Sequence, residues 1–365
     1  QLQGKPKIIL LYGPRQAGKT TILKELMSDY RESQVFFRGE DLRTQEIFAT
    51  PSLDKLKSAV GDASLIVIDE AQYITNIGIS LKLLYDAHSP LIIASGSSSF
   101  DLANKVAEPL TGRSVTFTLY PLSVLEIPIY PPDVSIVSKL EDFLVYGLYP
   151  EVIITPGIED KKDYLYELVN NYLYRDILNF ETVRKPKKVT DLLSLLALQI
   201  GQEVSVAELA QNLSLSKIIV EKYLDILEKM FVIVNLRGFS RNLRKEISKT
   251  SKYYFIDLGL RNALIRNFNP LNIRSDRGAM FENFCVIEKM KVLANSRKFA
   301  NLYFWRTYDQ KEIDLILEQE GVLQAFEFKW SDKKTKKTSA KEFQRTYPNS
   351  TFNTISKVNF LGLLI

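Results

Sequence analysis

Residues 13 to 20 read Gly13-Pro14-Arg15-Gln16-Ala17-Gly18-Lys19-Thr20, between the apolar run Ile8–Tyr12 and the helical pattern Thr21–Met27. The eight residues satisfy G-x-x-x-x-G-K-[ST] in full, with a strand feeding the loop and a helix leaving it. The chemistry requires this order. Glycines let backbone amides close around phosphate oxygens, and the helix N-terminus adds a partial positive charge. Lys19 then reaches the β- and γ-phosphates, and the Thr20 hydroxyl serves magnesium. Residues 13–20, with Thr21 behind them, are the candidate cradle for ATP and Mg2+.

Working outward, Leu65-Ile66-Val67-Ile68 is an apolar strand that ends in Asp69-Glu70. Two carboxylates at the C-terminal edge of a parallel sheet lie where ligands bind in such folds. Asp69 is the candidate magnesium ligand, and Glu70 the candidate base that orients the attacking water. A further run, Leu91–Ala94, ends in Ser95-Gly96-Ser97-Ser98. A hydroxyl there is placed to sense a γ-phosphate. Ser97 and Ser95 both qualify, and a plain loop fits equally.

The first 130 residues alternate such runs with helical patterns: Ile8–Tyr12, Gln34–Phe37, Leu65–Asp69, Leu91–Ser95 and Val115–Leu119. Most are continuously apolar, as strands buried on both faces are. This predicts a parallel α/β sheet. A proline-rich break follows at residues 127–132. Residues 136–185 read as helical, with Tyr164, Leu168 and Tyr172 at helical spacing. Past Pro186, a helix over 188–200, a capping box Ser205-Val206-Ala207-Glu208, a turn after Asn212 and a helix capped by Ser216 give helix-turn-helix spacing. The apolar run Phe231–Leu236 would supply a wing. From Tyr253 the chain is α/β again.

Composition bounds the alternatives. At 365 residues the chain is long enough for two or three domains. A single cysteine, Cys285, and a single histidine, His88, exclude a disulfide framework, a Cys/His zinc cluster and a histidine-based nucleophile dyad. No apolar run approaches the roughly 20 residues of a membrane helix. A cytoplasmic location without membrane contact is expected. The net charge of +5 is mild, but basic residues gather at Arg237, Arg241, Arg244, Lys245, Lys249 and Lys252, and again at Lys329, Lys333, Lys334, Lys336 and Lys337. The first group lies where a wing could meet phosphates. Both groups also fit solvated loops.

A second constellation lies near the C-terminus. Glu282 falls in the helical segment 278–292, Asp314 opens the strand 313–319, and Glu327 and Lys329 end the strand 322–329. With Glu320-Gly321 as a two-residue hairpin loop, 319 faces 322 and 314 faces 327. Opposed carboxylates weaken a sheet unless a cation lies between them. Ordinary surface ion pairs with lysine satisfy the same charges.

Together these segments resemble the AAA superfamily, in particular a prokaryotic group with a winged helix and a nuclease-like C-terminal domain. The stretch Leu110-Thr111-Gly112-Arg113, then Leu119-Tyr120-Pro121-Leu122-Ser123 and Glu126, is similar to that group after its fourth strand. The resemblance implies Arg113 as a candidate arginine finger or sensor; a finger usually acts between subunits, which would call for a homo-oligomer. Gly147-Leu148-Tyr149-Pro150-Glu151 resembles a G-G-x-P turn near the adenine in related ATPases and brings in Pro150, although Leu148 stands where the second glycine would be. The D…E-x-K spacing resembles the PD-(D/E)xK nuclease fold. That resemblance implies Asp314 and Glu327 as ligands of a second magnesium, Lys329 as the group that activates water, and Glu282 in support.

The architecture expected is a multidomain α/β protein. It comprises a P-loop ATPase core at 1–130 with a parallel sheet, a helical lid at 131–185, a winged helix-turn-helix at 186–250 and a nuclease-like α/β domain at 251–365. The function expected is ATP hydrolysis coupled to double-stranded DNA. The alternative is a nucleotide-dependent switch whose C-terminal domain binds an unidentified protein partner and does not cleave.

Overall fold

The computed structural model describes residues 7–97, 108–128, 136–173, 185–239, 251–307, 311–331 and 338–365. They form two compact units: residues up to 121 together with 229–231, and residues 122–228 together with 232–365.

The first unit holds a five-stranded parallel sheet ordered β2 (Gln34–Arg38), β3 (Leu65–Asp69), β4 (Leu91–Gly96), β1 (Ile8–Tyr12), β5 (Ser114–Thr118). All five residues of β3 are buried, whereas the edge strands β2 and β5 are only partly covered. The period-two alternation of a strand explains how β3 is buried on both sides. Ile66 and Ile68 pack with Phe48, Leu56 and Leu81 on one face, and Leu65 and Val67 with Leu23 on the other. Helices thus cover both faces, as a parallel sheet of continuously apolar strands requires. Because β4 lies between β1 and β3, the ends of these three strands are brought side by side.

The second unit is built on a seven-stranded mixed sheet ordered β12 (Ser350–Ser356), β11 (Val322–Lys329), β10 (Glu312–Gln319), β9 (Asn301–Arg306), β7 (Ile233–Gly238), β8 (Ser251–Phe255), β6 (Glu203–Val204). The expected helix pair is present as Val206–Leu213 and Lys217–Lys229. Ser205 caps the first helix by accepting from the Glu208 N–H at 3.3 Å. The hairpin β7–β8 follows, and β7 also pairs in parallel with β9 at Arg237↔Tyr303 and Gly238↔Phe304. One sheet therefore runs across the boundary expected at residue 250.

The long helix Arg277–Asn295 lays Met280, Phe281, Phe284 and Ile287 onto Tyr254, Phe304, Leu315, Phe326 and Phe328 of this sheet. Leu140, Phe143 and Leu144 of the helix Leu140–Tyr146 join the same core. A buried polar knot fastens the helical segments. Asp276 takes Arg261 Nη1 at 2.6 Å and Arg274 Nη2 at 2.7 Å, while Arg261 Nη2 reaches the Ala197 carbonyl at 2.5 Å. The Asn262 amide bridges to the carbonyls of Leu144 and Val145. Burial would raise the Asp276 carboxyl, but the two guanidiniums outweigh it and hold the group down at about 2.

Cys285 is buried in this core. His88 is the last residue of the helix Ile77–His88. No helix among the described residues is long and apolar enough to cross a membrane.

Candidate functional site: a phosphate cradle and a carboxylate pocket

The cradle forms where β1 gives way to the helix Lys19–Asp29. Its backbone is unusual at each turn. Gly13 has φ +156°, and a Cβ there would lie 2.1 Å from the Leu119 carbonyl oxygen at the end of β5. Gln16 and Gly18 both have positive φ, at 61° and 98°. The loop thus curls so tightly that its first glycine touches the neighbouring strand. Lys19 is buried, and its ammonium donates to the carbonyls of Gly13 and Pro14 at 2.9 and 2.8 Å. Arg15 donates to the Tyr73 hydroxyl at 2.9 Å, linking the loop to the turn beyond β3. Ala17 is buried within the loop and Thr21 is exposed on the helix behind it.

The strand order brings the second half of the site alongside. Thr20 Oγ1 donates to Asp69 Oδ2 at 2.7 Å. Asp69 Oδ1 accepts from the Ser95 hydroxyl, and the Glu70 N–H donates to Ser95 Oγ at 3.2 Å. Glu70 itself is left-handed at φ 52°, ψ 43°, a conformation rare for a side-chain-bearing residue outside functional sites. The turn needs room. Gly39 donates to the Asp69 carbonyl at 2.7 Å, and a Cβ on Gly39 would fall 2.2 Å from the Glu70 carbonyl oxygen. The Glu70 carboxylate accepts from the side-chain amide of Gln72, which also donates to Ser97 Oγ at 3.1 Å. Ser95 holds Asp69, and Ser97 joins Glu70 through Gln72.

Gln72 and Gly39 were not foreseen. Gln72 stands two residues beyond Glu70 in a short 3-10 turn, and that spacing was the available signal. Arg113 does not join this cluster. It precedes β5 at the end where Ser114 pairs with Ile8, so it lies roughly 15 Å along the strand from the cradle. There it forms an exposed ion pair with Asp86 at 2.8 Å. Pro150 belongs to the second unit and opens the helix Pro150–Ile154. The preceding Gly147 has φ +78° and packs on Asp257, which accepts from the Leu148 N–H at 2.7 Å.

The cradle fits a nucleotide triphosphate with magnesium. A hydroxyl and a carboxylate meet at the sheet edge and a lysine lies in the loop, the donor set such a group takes.

The C-terminal constellation is built otherwise. The β10–β11 hairpin has the counted register, Gln319 with Val322 and Leu315 with Phe326, around Glu320 and Gly321 at φ 51° and 79°. A bulge against β9 between Ile313 and Ile316 then breaks the alternation. Ile313 and Ile316 enter one core, and Leu315 and Leu317 the other. Asp314, within the bulge, turns its carboxylate onto the Phe328 N–H at 2.7 Å. Burial and the nearby Glu282 push its carboxyl up to about 8. Glu327 pairs with Lys329 at 2.8 Å.

The resident cation is Lys252 of β8. Its ammonium, 1% exposed, lies 2.9 Å from Glu282 Oε1 and pairs also with Glu312. The Tyr254 hydroxyl donates to the same Glu282 oxygen at 2.6 Å. Burial alone would pull the Lys252 ammonium down, but the facing carboxylates overcome it and raise it. Lys252 is therefore no part of a basic phosphate-binding run. Arg241, Arg244, Lys245, Lys249 and Lys333–Lys337 lie outside the described residues. Among the described residues no group of three or more acidic, histidine or cysteine side chains is arranged to hold a metal ion. The residues from which a second magnesium was expected lie near one another without that three-ligand arrangement: burial works against the Lys329 ammonium while Glu327, Asp314 and Glu282 raise it, and Glu282 adds to the burial that raises the Asp314 carboxyl.

Residues 5–128 match the family model of the AAA domain, 137–271 match a domain of unknown function (DUF8612), and 277–358 match another (DUF4143). An uncharacterised protein of Mycobacterium tuberculosis is 29% identical over 328 residues, 88% of this chain and 70% of its own length. The replication factor C large subunit of Methanococcus vannielii is 29% identical over 99 residues, 25% of this chain and 20% of that one. A structure of Pif1 helicases at forked double-stranded DNA aligns over 46% of this chain and 49% of its own. Its identity is 14% and its TM-score 0.22, a score that carries no argument. Residues 5–128 are thus an AAA-type P-loop ATPase domain, followed in the chain by a C-terminal DUF4143 domain.

Proposed function

We propose that the chain hydrolyses ATP with magnesium and that turnover serves a DNA-bound task. The observation that carries the first part is the continuous network Thr20–Asp69–Ser95 and Glu70–Gln72–Ser97 at the mouth of the cradle. Loop amides and Lys19 bind the phosphates, and Thr20 and Asp69 are the groups that would hold magnesium. When bound, that ion neutralises phosphate charge and polarises the transferred phosphoryl group. Glu70 takes the proton of the attacking water, with Gln72 fixing where its carboxylate stands. In this reading Arg113, at the far end of β5 from its own cradle, acts on the cradle of a neighbouring copy.

Two features support the DNA-bound task. One is the segment similar to a replication factor C large subunit. The other is the helix pair 206–213 and 217–229, whose second helix exposes Lys217 and Lys222 beside Glu221 and Asp225, with Arg237 exposed on β7. A second reading, a nucleotide-dependent switch with a non-cleaving C-terminal module for a protein partner, is favoured by Lys252 in the carboxylate pocket.

The experiment is ATP turnover of the wild type, Lys19→Ala and Glu70→Gln, with and without duplex DNA. Turnover lost in both variants and raised by DNA is expected. Turnover unchanged in Lys19→Ala would sink the ATPase assignment. Tight ATP binding with negligible turnover, and no DNA binding at low salt, would favour the switch.

A further inference from the structure

We infer that the C-terminal carboxylate pocket holds the Lys252 ammonium as its built-in cation, in the place a divalent metal would otherwise take, so that this unit does not cleave phosphodiesters by metal-ion chemistry. The inference deepens the non-cleaving reading of the C-terminal unit and is independent of ATP hydrolysis. An inactive cradle would leave it standing.

Three observations converge. First, the carboxylates Glu282 on the helix Arg277–Asn295 and Glu312 on β10 both pair with one Nζ, which is shut off from solvent. Second, the remaining faces of that ammonium are closed. The Phe304 ring lies 5.6 Å from Nζ, and the Tyr254 hydroxyl occupies the Glu282 oxygen from the other side. Third, each of the two other strand carboxylates already has a donor of its own, Asp314 the Phe328 N–H and Glu327 the Lys329 ammonium.

A divalent ion needs several oxygens converging on one point at about 2.0–2.6 Å. Here the point of convergence is a nitrogen that the fold itself supplies. Lys252 reaches it because β8 is the neighbour of β7 in the common sheet, which sets its side chain against the long helix. Removing the ammonium would leave Glu282 without its ion-pair partner and Glu312 with only Arg306, at 3.9 Å. A dication is then the natural replacement.

The test uses the nucleotide-free full chain and Mn2+, followed by electron paramagnetic resonance, with Tb3+ luminescence sensitised by Tyr254 as a second probe. The wild type should show no Mn2+ site that Glu282→Gln or Asp314→Asn removes, and no Mn2+-dependent nicking of supercoiled plasmid. Lys252→Met should gain a site at least ten-fold tighter than any in the wild type, lost again in Lys252→Met/Glu282→Gln. Wild-type Mn2+ binding that falls ten-fold in Glu282→Gln or Asp314→Asn would overturn the inference. So would a folded Lys252→Met that takes no metal. If Lys252→Met does not fold, the wild-type titration against Glu282→Gln and Asp314→Asn decides alone.

Discussion

The two units each gather carboxylates at the end of a strand, yet they neutralise them in opposite ways. Asp69 and Glu70 are held by neutral donors: the hydroxyls of Thr20 and Ser95 and the amide of Gln72. These fix direction without cancelling charge, so the edge of the first sheet keeps a net negative field into which magnesium fits. Glu282 and Glu312 share an ammonium that offsets one of their two negative charges from within. Similar residue types thus give an open electrostatic site in one unit and a closed one in the other. The difference lies in the partner rather than in the acids.

The largest effect that would break this comparison is at Glu70. Glu70→Gln keeps the shape and the bond to Gln72 but removes the base. Steady-state ATP hydrolysis should fall about 10²–10⁴-fold while nucleotide affinity is retained. An undiminished rate would mean the open site works without its base. Next is Lys252. In the closed site, Lys252→Met leaves two carboxylates without their shared ammonium, and chemical denaturation should show the second unit destabilised by about 3–5 kcal/mol. A loss under 1 kcal/mol would show that the charges were never committed to each other.

Asp276 sharpens the contrast, since it is a third mode: a carboxylate closed by two guanidiniums. Its folded value is held at about 2 against an ordinary 3.8. A depressed carboxylate contributes stability that is complete above the ordinary value and is lost as pH falls through the folded one. The wild type should therefore lose about 2 kcal/mol between pH 4 and pH 2 that Asp276→Asn does not lose. Parallel pH profiles of the two proteins would exclude this group. The smallest effect is at Ser205, whose cap involves no charge: Ser205→Ala should cost about 1 kcal/mol in the melting of the second unit.

The sequence made the open site legible and the closed one only half so. β1 and β3 were bounded to the residue because their apolar runs end abruptly at Gly13 and Glu70. The β10–β11 register could be counted because Glu320-Gly321 admits a two-residue turn with positive φ at both positions. The paired ladder keeps that register as far as Leu315 and Phe326; at Asp314 a bulge against a different strand, which leaves no local mark, turns the carboxylate onto the Phe328 N–H. Lys252 was read with the basic residues before it, although it opens Lys252-Tyr253-Tyr254-Phe255-Ile256, an aromatic strand in which a lysine is out of place. Its partner Glu282 lies 30 residues away and Glu312 lies 60, separations at which periodicity says nothing. Gln72 was missed for the opposite reason: it was too near Glu70 to look like anything but the next turn.

The pairing of β7 with both β8 and β9 bears on how the chain can be divided. A fragment that stops before residue 251 leaves β7 with two bare edges, and one that starts at 251 leaves β8 without its neighbour and β9 open on the same side. Unpaired edges of that kind recruit other chains. Pieces cut at the apparent joint between the helix pair and the C-terminal strands would tend to aggregate, whereas residues 122–365 carry every strand of that sheet.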